Sequence, residues 1–146
     1  ANKSIGLEKL NFDVSSAGYD TGDFMETTAD KKFEDGWLIL NGGTIGNKTS
    51  NATAAAADEC EKLFKMLWSN ANLKLYGPDG IETSRSSADQ DWTNSRQLAL
   101  PDPRGRIFKG ASSQSEVGAL SDIPLSNHGV TTNTLKFISL KTYIRL

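Results

Sequence analysis

The chain has one cysteine, one histidine and four prolines, so it is poor in the residues that staple, ligate or lock a backbone. A lone cysteine excludes an internal disulfide and a cysteine zinc cluster. Cys60 falls on an apolar helix face with Leu63 and Phe64, where a thiol packs rather than reacts. The lone histidine, His128, stands in the turn-like run Ser126-Asn127-His128-Gly129. It is the one base available to a Ser-His-Asp triad, and no strand-turn-helix elbow is present to raise a serine toward it. Charge of one sign is also missing. Sixteen basic and 18 acidic residues leave a formal net charge of -2 over 146 residues. That gives no field to draw in nucleic acid or an anionic membrane. No apolar run nears the roughly 18 residues of a membrane span, and no basic-then-apolar leader opens the chain. The expectation is a soluble protein without a nucleic-acid partner, membrane insertion or cofactor. The mixed-sign cluster Asp30-Lys31-Lys32-Phe33-Glu34-Asp35 reads as a solvated loop.

What the chain does have is a glycine-punctuated centre, Gly36-Trp37-Leu38-Ile39-Leu40-Asn41-Gly42-Gly43-Thr44-Ile45-Gly46. Leu38, Ile39 and Leu40 fit a short strand buried on both faces. Gly42, Gly43 and Gly46 mark a reversal that needs positive φ or close approach. Cys60, Leu63, Phe64, Leu67 and Trp68 then recur at helical spacing as one apolar stripe. Ala54 to Ala57 favour a helix, with Asn51 or Thr53 as its cap. Residues 69–97 read as a long polar excursion with a turn at Tyr76-Gly77-Pro78-Asp79-Gly80. Trp92 argues against plain disorder there and reads as a core anchor for its loop. Leu100-Pro101-Asp102-Pro103-Arg104-Gly105-Arg106 brings the chain back, with Asp102 placed for a carboxylate–guanidinium clamp. In the terminal stretch, Ile138, Leu140, Ile144 and Leu146 share one face and Leu135, Phe137 and Tyr143 the other. Such a strand buries one face in its own core and the other against a neighbour.

Catalytic and nucleotide chemistry fit this pattern poorly. A phosphate loop starting at Gly43 needs a glycine at position 48, where Lys48 stands, and several residues separate the glycines from the helix. Acid pairs such as Asp89 with Asp91, or Asp20 with Asp23, have the residue types for glycoside hydrolysis, but loop carboxylates of this kind are solvated. Tyr76 and Trp92 offer flat amphipathic surfaces on which a sugar ring stacks.

Four of these segments, in this order, resemble the phage tail collar domain. They are Gly22-Asp23 followed by the Gly36 to Asn47 run; the helix with Asp58, Leu63-Phe64 and Leu67-Trp68; the polar stretch Arg85 to Trp92; and the closing Leu100 to Arg106. The resemblance covers about residues 20–110. It implies a fibre-end domain of a bacteriophage tail fibre or tailspike, trimeric, of α+β class, built of short strands with one amphipathic helix and long loops. Residues 1–18 would then be a linker or N-terminal strand from a longer fibre, 19–110 the collar-like domain, and 111–146 a polar loop and C-terminal β region. Within it Trp37, Gly42, Gly43, Leu63, Trp68, Trp92, Asp102, Arg104 and Arg106 are expected to be structural.

Receptor contacts are expected on the loops, at Tyr76, Asp79, Glu82, Arg85, Asp89, Ser113 and Asn127. No metal is expected, although in a three-fold assembly His128 is the one candidate axial ligand. The implied partners are two further copies of the chain, a bacterial surface polysaccharide or lipopolysaccharide, and other virion tail proteins. The implied location is the virion, after synthesis in the bacterial cytoplasm. Two other readings stay open. One is a structural module for trimerisation, folding or attachment; the other is a polysaccharide-degrading enzyme.

Overall fold

A computed structural model describes residues 18–104, 106 and 140–146. The elements in chain order are β1 (Phe24–Thr27), β2 (Trp37–Ile39), β3 (Thr44–Gly46), β4 (Ala55–Ala56), α1 (Glu61–Trp68), β5 (Leu75–Tyr76), α2 (Ala88–Thr93), β6 (Gln97–Ala99) and β7 (Lys141–Arg145). They form a small α+β domain of two sheets. One has the order β1-β7-β2 and the other β4-β3-β6-β5. All pairings are antiparallel except β3 with β4.

One core joins the sheets and helices. Leu38, Leu40 and Ile144 come from the first sheet, Ile45, Leu75, Leu98 and Leu100 from the second, Cys60, Leu63 and Phe64 from α1 and its approach, and Trp92 from α2. The Phe64 and Trp92 rings meet edge to face at 5.3 Å, so Trp92 anchors its segment in the core as the sequence implies. Burial pushes the Cys60 thiol up to about 11, with the nearby Glu59 charge adding to it. That suits a packing residue and not a nucleophile.

Several sequence expectations are corrected. The helix is shorter than Ala54 to Trp68. Ala55 and Ala56 form β4, and the Ala54 and Ala57 N–H groups donate to the Thr44 and Gly46 carbonyls at 2.9 and 3.0 Å. A Cβ on Gly43 would stand 2.7 Å from the Ala54 Cβ. The alanines are there because parallel strands approach closely at that point, and their helix propensity is overridden. Neither Asn51 nor Thr53 caps α1. Asn51 has φ 60 and Thr53 Oγ1 accepts from the Thr44 N–H. Residues 69–97 are not a plain loop, since they carry β5 and α2. Helix α2 is capped by Ser87, whose side chain accepts from the Gln90 N–H at 3.2 Å.

Strand β2 is not buried on both faces throughout. Trp37 and Leu38 are, but Ile39 is 39% exposed. The mixed-charge cluster is only partly solvated. Phe33–Asp35 is a 3₁₀ turn, Phe33 packs on the core, and Asp30 pairs with Lys141.

Strand β7 needs no neighbouring copy to cover it over 141–145. It lies between β1 and β2, and Tyr143 is 3% exposed within its own chain. Residues 1–17 and 107–139 lie outside the described residues, and with them the linker and most of the 111–133 and 134–146 expectations.

Leu63 is fully buried between sheet and helix. Truncating Leu63→Ala should lower the unfolding free energy by about 2–5 kcal/mol, read from a urea melt, and Leu63→Asp should prevent folding.

Candidate functional site

Sheet β4-β3-β6-β5 carries three connections that converge at one end. Residues 47–53 follow β3, residues 77–82 follow β5, and residues 94–96 link α2 to β6. Each is tied to another by side chains. Asn47 Nδ2 donates to the Trp92 carbonyl at 2.7 Å, the Thr49 and Ser95 hydroxyls meet at 2.6 Å, and Asn51 Nδ2 donates to the Pro78 carbonyl at 3.0 Å. Asn51 and Ser95, at φ 60 and 56, are the two non-glycine residues in the left-handed region among those described. A left-handed serine costs conformational energy, which the cross-links around it must offset.

Below these loops a buried polar ladder sets the height of the 77–82 turn. The Thr44 hydroxyl donates to Gln97 Oε1 at 2.9 Å, and Gln97 Nε2 donates to the Gly77 carbonyl at 3.1 Å. The turn closes through Asp79 Oδ1, which accepts from the Ile81 N–H at 3.0 Å. Gly80 has φ 79, the left-handed conformation that the Pro-Asp-Gly run anticipates.

The candidate contact residues are therefore separated. Tyr76, Asp79 and Glu82 share one hairpin, with Tyr76 half-buried and bridged to Glu82. Glu82 pairs with Lys74 at 2.7 Å. Asp89 stands apart on α2, 2.6 Å from Lys65 of α1. Arg85 turns inward, donating to the Asn70 carbonyl at 2.9 Å and to the Leu73 carbonyl, with its guanidinium 5.9 Å from the Trp68 ring centroid. Ser113, Asn127 and His128 lie outside the described residues. From sequence Asn51 reads as a helix cap, and none of Asn51, Thr49 and Ser95 reads as a contact residue. The available signal was the polar run Asn47 to Asn51, which reads as ordinary linker until its partners are seen.

The acid pair Asp89 and Asp91 is not a pair of solvated carboxylates. Asp91 is 1% exposed. It accepts from Trp68 Nε1 at 2.8 Å, from the Ser86 N–H at 3.1 Å and from Ser86 Oγ at 2.7 Å. Burial alone would push its carboxyl up. The Ser86 and Trp68 bonds and the Arg96 charge prevail and hold it below the usual carboxylate range. Its oxygens are committed to joining α2 to α1.

Beside the Gly42–Gly43 bend the ionisable groups are Asp102 and Arg104, and they bind each other. Arg104 Nε donates to Asp102 Oδ1 at 2.8 Å and Nη2 to Oδ2 at 2.7 Å. Nη2 also reaches the Asn41 carbonyl at 2.7 Å. Arg106 adds its charge without a hydrogen bond to the carboxylate. Elsewhere, a recess of about 570 Å³ between Phe33, Glu59, Lys62 and Leu146 holds none of the candidate residues. Among the described residues no group of acidic, histidine or cysteine side chains has the makings of a metal site, and no helix is long and apolar enough to cross a membrane. No family model, no curated protein and no solved structure matches the chain.

The Arg104 fork holds the Asp102 carboxyl down at about 2. Because the folded value is depressed, the clamp's contribution to stability is complete above the ordinary carboxylate value near pH 4 and fades as pH falls toward 2. A carboxyl-carbon NMR titration should place the Asp102 midpoint near 2 in the wild type, and in Arg104→Gln it should return toward about 4.

Proposed function

We propose that the chain is a tail-collar-type tip domain of a bacteriophage tail fibre or tailspike, working as a homotrimer that attaches the virion to a bacterial surface glycan. The observation that carries this reading is the union of its two most recognisable motifs. Asn41-Gly42-Gly43 and Leu100-Pro101-Asp102-Pro103-Arg104 are far apart in sequence and are bolted together by Arg104 at the Asn41 carbonyl. Motifs that bind only each other are scaffolding, which leaves recognition to what they support.

The converging loops have the chemistry for that work. They present hydroxyls from Thr49 and Ser95, amides from Asn51 and Asn94 and exposed carboxylates at Asp79 and Glu82, the second paired with Lys74, beside Ile81 at 67% exposure. Such a surface exchanges hydrogen bonds with a hydroxyl-rich ligand and carries no dense charge to demand an ionic one. Each contact would be weak. Three copies on one axis, facing a repeating polysaccharide, convert weak contacts to avidity. The reading includes no catalytic step, cofactor or nucleic-acid partner. It places the chain in the virion after synthesis in the bacterial cytoplasm.

A structural role in attachment to other virion proteins is favoured by a different observation. Phe24 and Ile39 on the strands of the β1-β7-β2 sheet, and Leu140 just before β7, are 39–50% exposed. Phe24 and Ile39 stand on opposite faces of the sheet, across from Ile144 and Tyr143, and exposed apolar side chains of this size fit a protein contact better than a sugar. Deleting β7 does not separate these readings, because it removes the central strand of that sheet.

A glycan array probed with the assembled oligomer does separate them. Under the binding reading it captures a bacterial polysaccharide or lipopolysaccharide. The double change Asn51→Gly and Asp79→Asn keeps the left-handed backbone and the turn acceptor. It should weaken capture by about tenfold, roughly 1.4 kcal/mol, while the exposed Asn51–Pro78 bond it removes lowers stability by no more than about 1 kcal/mol. An oligomer that captures no glycan and binds no host cell assigns the chain to the structural role. A sedimentation mass other than three chains removes the homotrimer.

A further inference from the structure

Asn41 and Gly42 form the one Asn-Gly step in the sequence, and it sits at the corner between the sheets. Asn41 is exposed. Its side-chain Oδ1 accepts from the Gly43 N–H at 3.3 Å, so the carboxamide is folded back along the Gly42 peptide. Gly42 has no Cβ to shield its nitrogen. Its N–H donates to no acceptor among the described residues. The other described asparagines precede Lys48, Ala52, Ala71, Leu73 and Ser95, each with a side chain against the peptide nitrogen.

We propose that Asn41–Gly42 is a self-modifying site in the folded protein, where the Gly42 nitrogen displaces the Asn41 side-chain nitrogen and the isoaspartyl product loosens the joint between the two sheets. The Gly42 nitrogen gives up its proton to water or buffer base and bonds to Asn41 Cγ. The Cγ–Nδ2 bond breaks, and the amide leaves as ammonia after taking up a proton. The resulting five-membered succinimide is opened by water at either carbonyl, to aspartate or isoaspartate. No oxidant or reductant is consumed.

In the isoaspartyl product the main chain runs through Cγ and is one carbon longer. The former Asn41 backbone carbonyl, now held by Arg104 Nη2 at 2.7 Å, becomes a free carboxylate. The Leu40 N–H is paired to Thr142 in one sheet, and the Gly43 carbonyl is paired to Leu100 in the other. An added carbon between those two rungs shifts one ladder against the other. A second carboxylate also arrives beside Asp102 and competes for Arg104.

The native full-length chain is incubated in neutral and mildly alkaline buffer and sampled over time. Peptide mass mapping with enzymatic isoaspartate labelling locates the change. Conversion at Asn41 should run several-fold faster than at Asn94, which is also exposed, and should accelerate with pH as the attacking nitrogen is deprotonated. The charge-shifted fraction holds both the aspartyl and the isoaspartyl product, and it should melt below the fresh protein and below Asn41→Asp, which carries the same added charge on an ordinary backbone. Asn41→Gln, which keeps an amide but reacts far more slowly, should show no such drift in melting. Native Asn41 that stays intact while the urea-unfolded chain converts would overturn the proposal. So would conversion of Asn94 ahead of Asn41, or a charge-shifted fraction that melts no lower than Asn41→Asp.

Discussion

The fold depends on one transfer of the chain between sheets, made in the space of three peptide units. The Leu40 N–H donates to the Thr142 carbonyl and continues the β2–β7 ladder, while the Gly43 carbonyl accepts from the Leu100 N–H and opens the β3–β6 ladder. Between them Gly42 takes φ 80, and a Cβ there would press on Asp102 at 3.1 Å. An L-residue at Gly42 is strained by the backbone as well as by the neighbour. At Gly43 the constraint is contact alone, since Ala54 stands where a side chain would go. Two adjacent glycines thus answer two different demands. The guanidinium of Arg104 spans the bend from outside, and the prolines on either side of Asp102 hold the returning segment extended beneath it. Exposed ion pairs contribute little to stability as a rule. This one earns its place by geometry: a planar fork fixes the carboxylate, and the same nitrogen fixes the opposite strand's carbonyl.

A second fixed point lies at the other end of the core. Asp91 is buried and charged, and a lone carboxylate there would be costly. Three donors from Ser86 and Trp68 satisfy it, and the Arg96 N–H closes the turn through the Asp91 carbonyl at 2.9 Å. Because Trp68 ends α1 and Asp91 sits within α2, the carboxylate sets the relation of the two helices. Trp92, the next residue, enters the core against Phe64. The arrangement also orders the loop face, since Asn47 is held by the Trp92 carbonyl and Ser95 follows at the end of α2. Packing, a buried charge and loop geometry are here consecutive links in one short segment.

How much of this was legible in the sequence follows from where local preference and tertiary demand agree. The Gly42–Gly43 corner, the Asp102–Arg104 clamp, the Cys60 to Trp68 stripe and the Pro78-Asp79-Gly80 turn were legible because each is set by residues near one another in the chain. Ala54 to Ala57 misled because alanine serves equally as a helix former and as the smallest side chain for close strands. Ser87-Ala88-Asp89-Gln90 has the spacing of a capping box, so α2 had a signal. It was outweighed by the shortage of apolar residues, of which the six-residue helix needs only Trp92. Asp91 looked like a solvated loop acid because nothing local shows that Trp68, 23 residues earlier, would donate to it. The central position of β7 was likewise hidden. A strand with two partly apolar faces reads the same whether its cover comes from a second copy or from β1 and β2.

The two halves of the molecule divide along the same line. The loops at the end of the second sheet are cross-braced by the Asn47, Asn51 and Thr49–Ser95 bonds and are polar apart from Ile81, which is 67% exposed. The first sheet leaves Phe24 and Ile39 exposed on opposite faces, since Phe24 and Leu38 stand across from Ile144 and Ile39 stands across from Tyr143. The two sheets keep their places relative to each other through the shared core and through the chain that joins them. The bend at Asn41-Gly42-Gly43 is the covalent path between them with the fewest residues. Its stiffness therefore sets how faithfully a contact at one sheet is held in position by the other. A lengthened bend would cost the molecule its alignment before it cost either sheet its own hydrogen bonds.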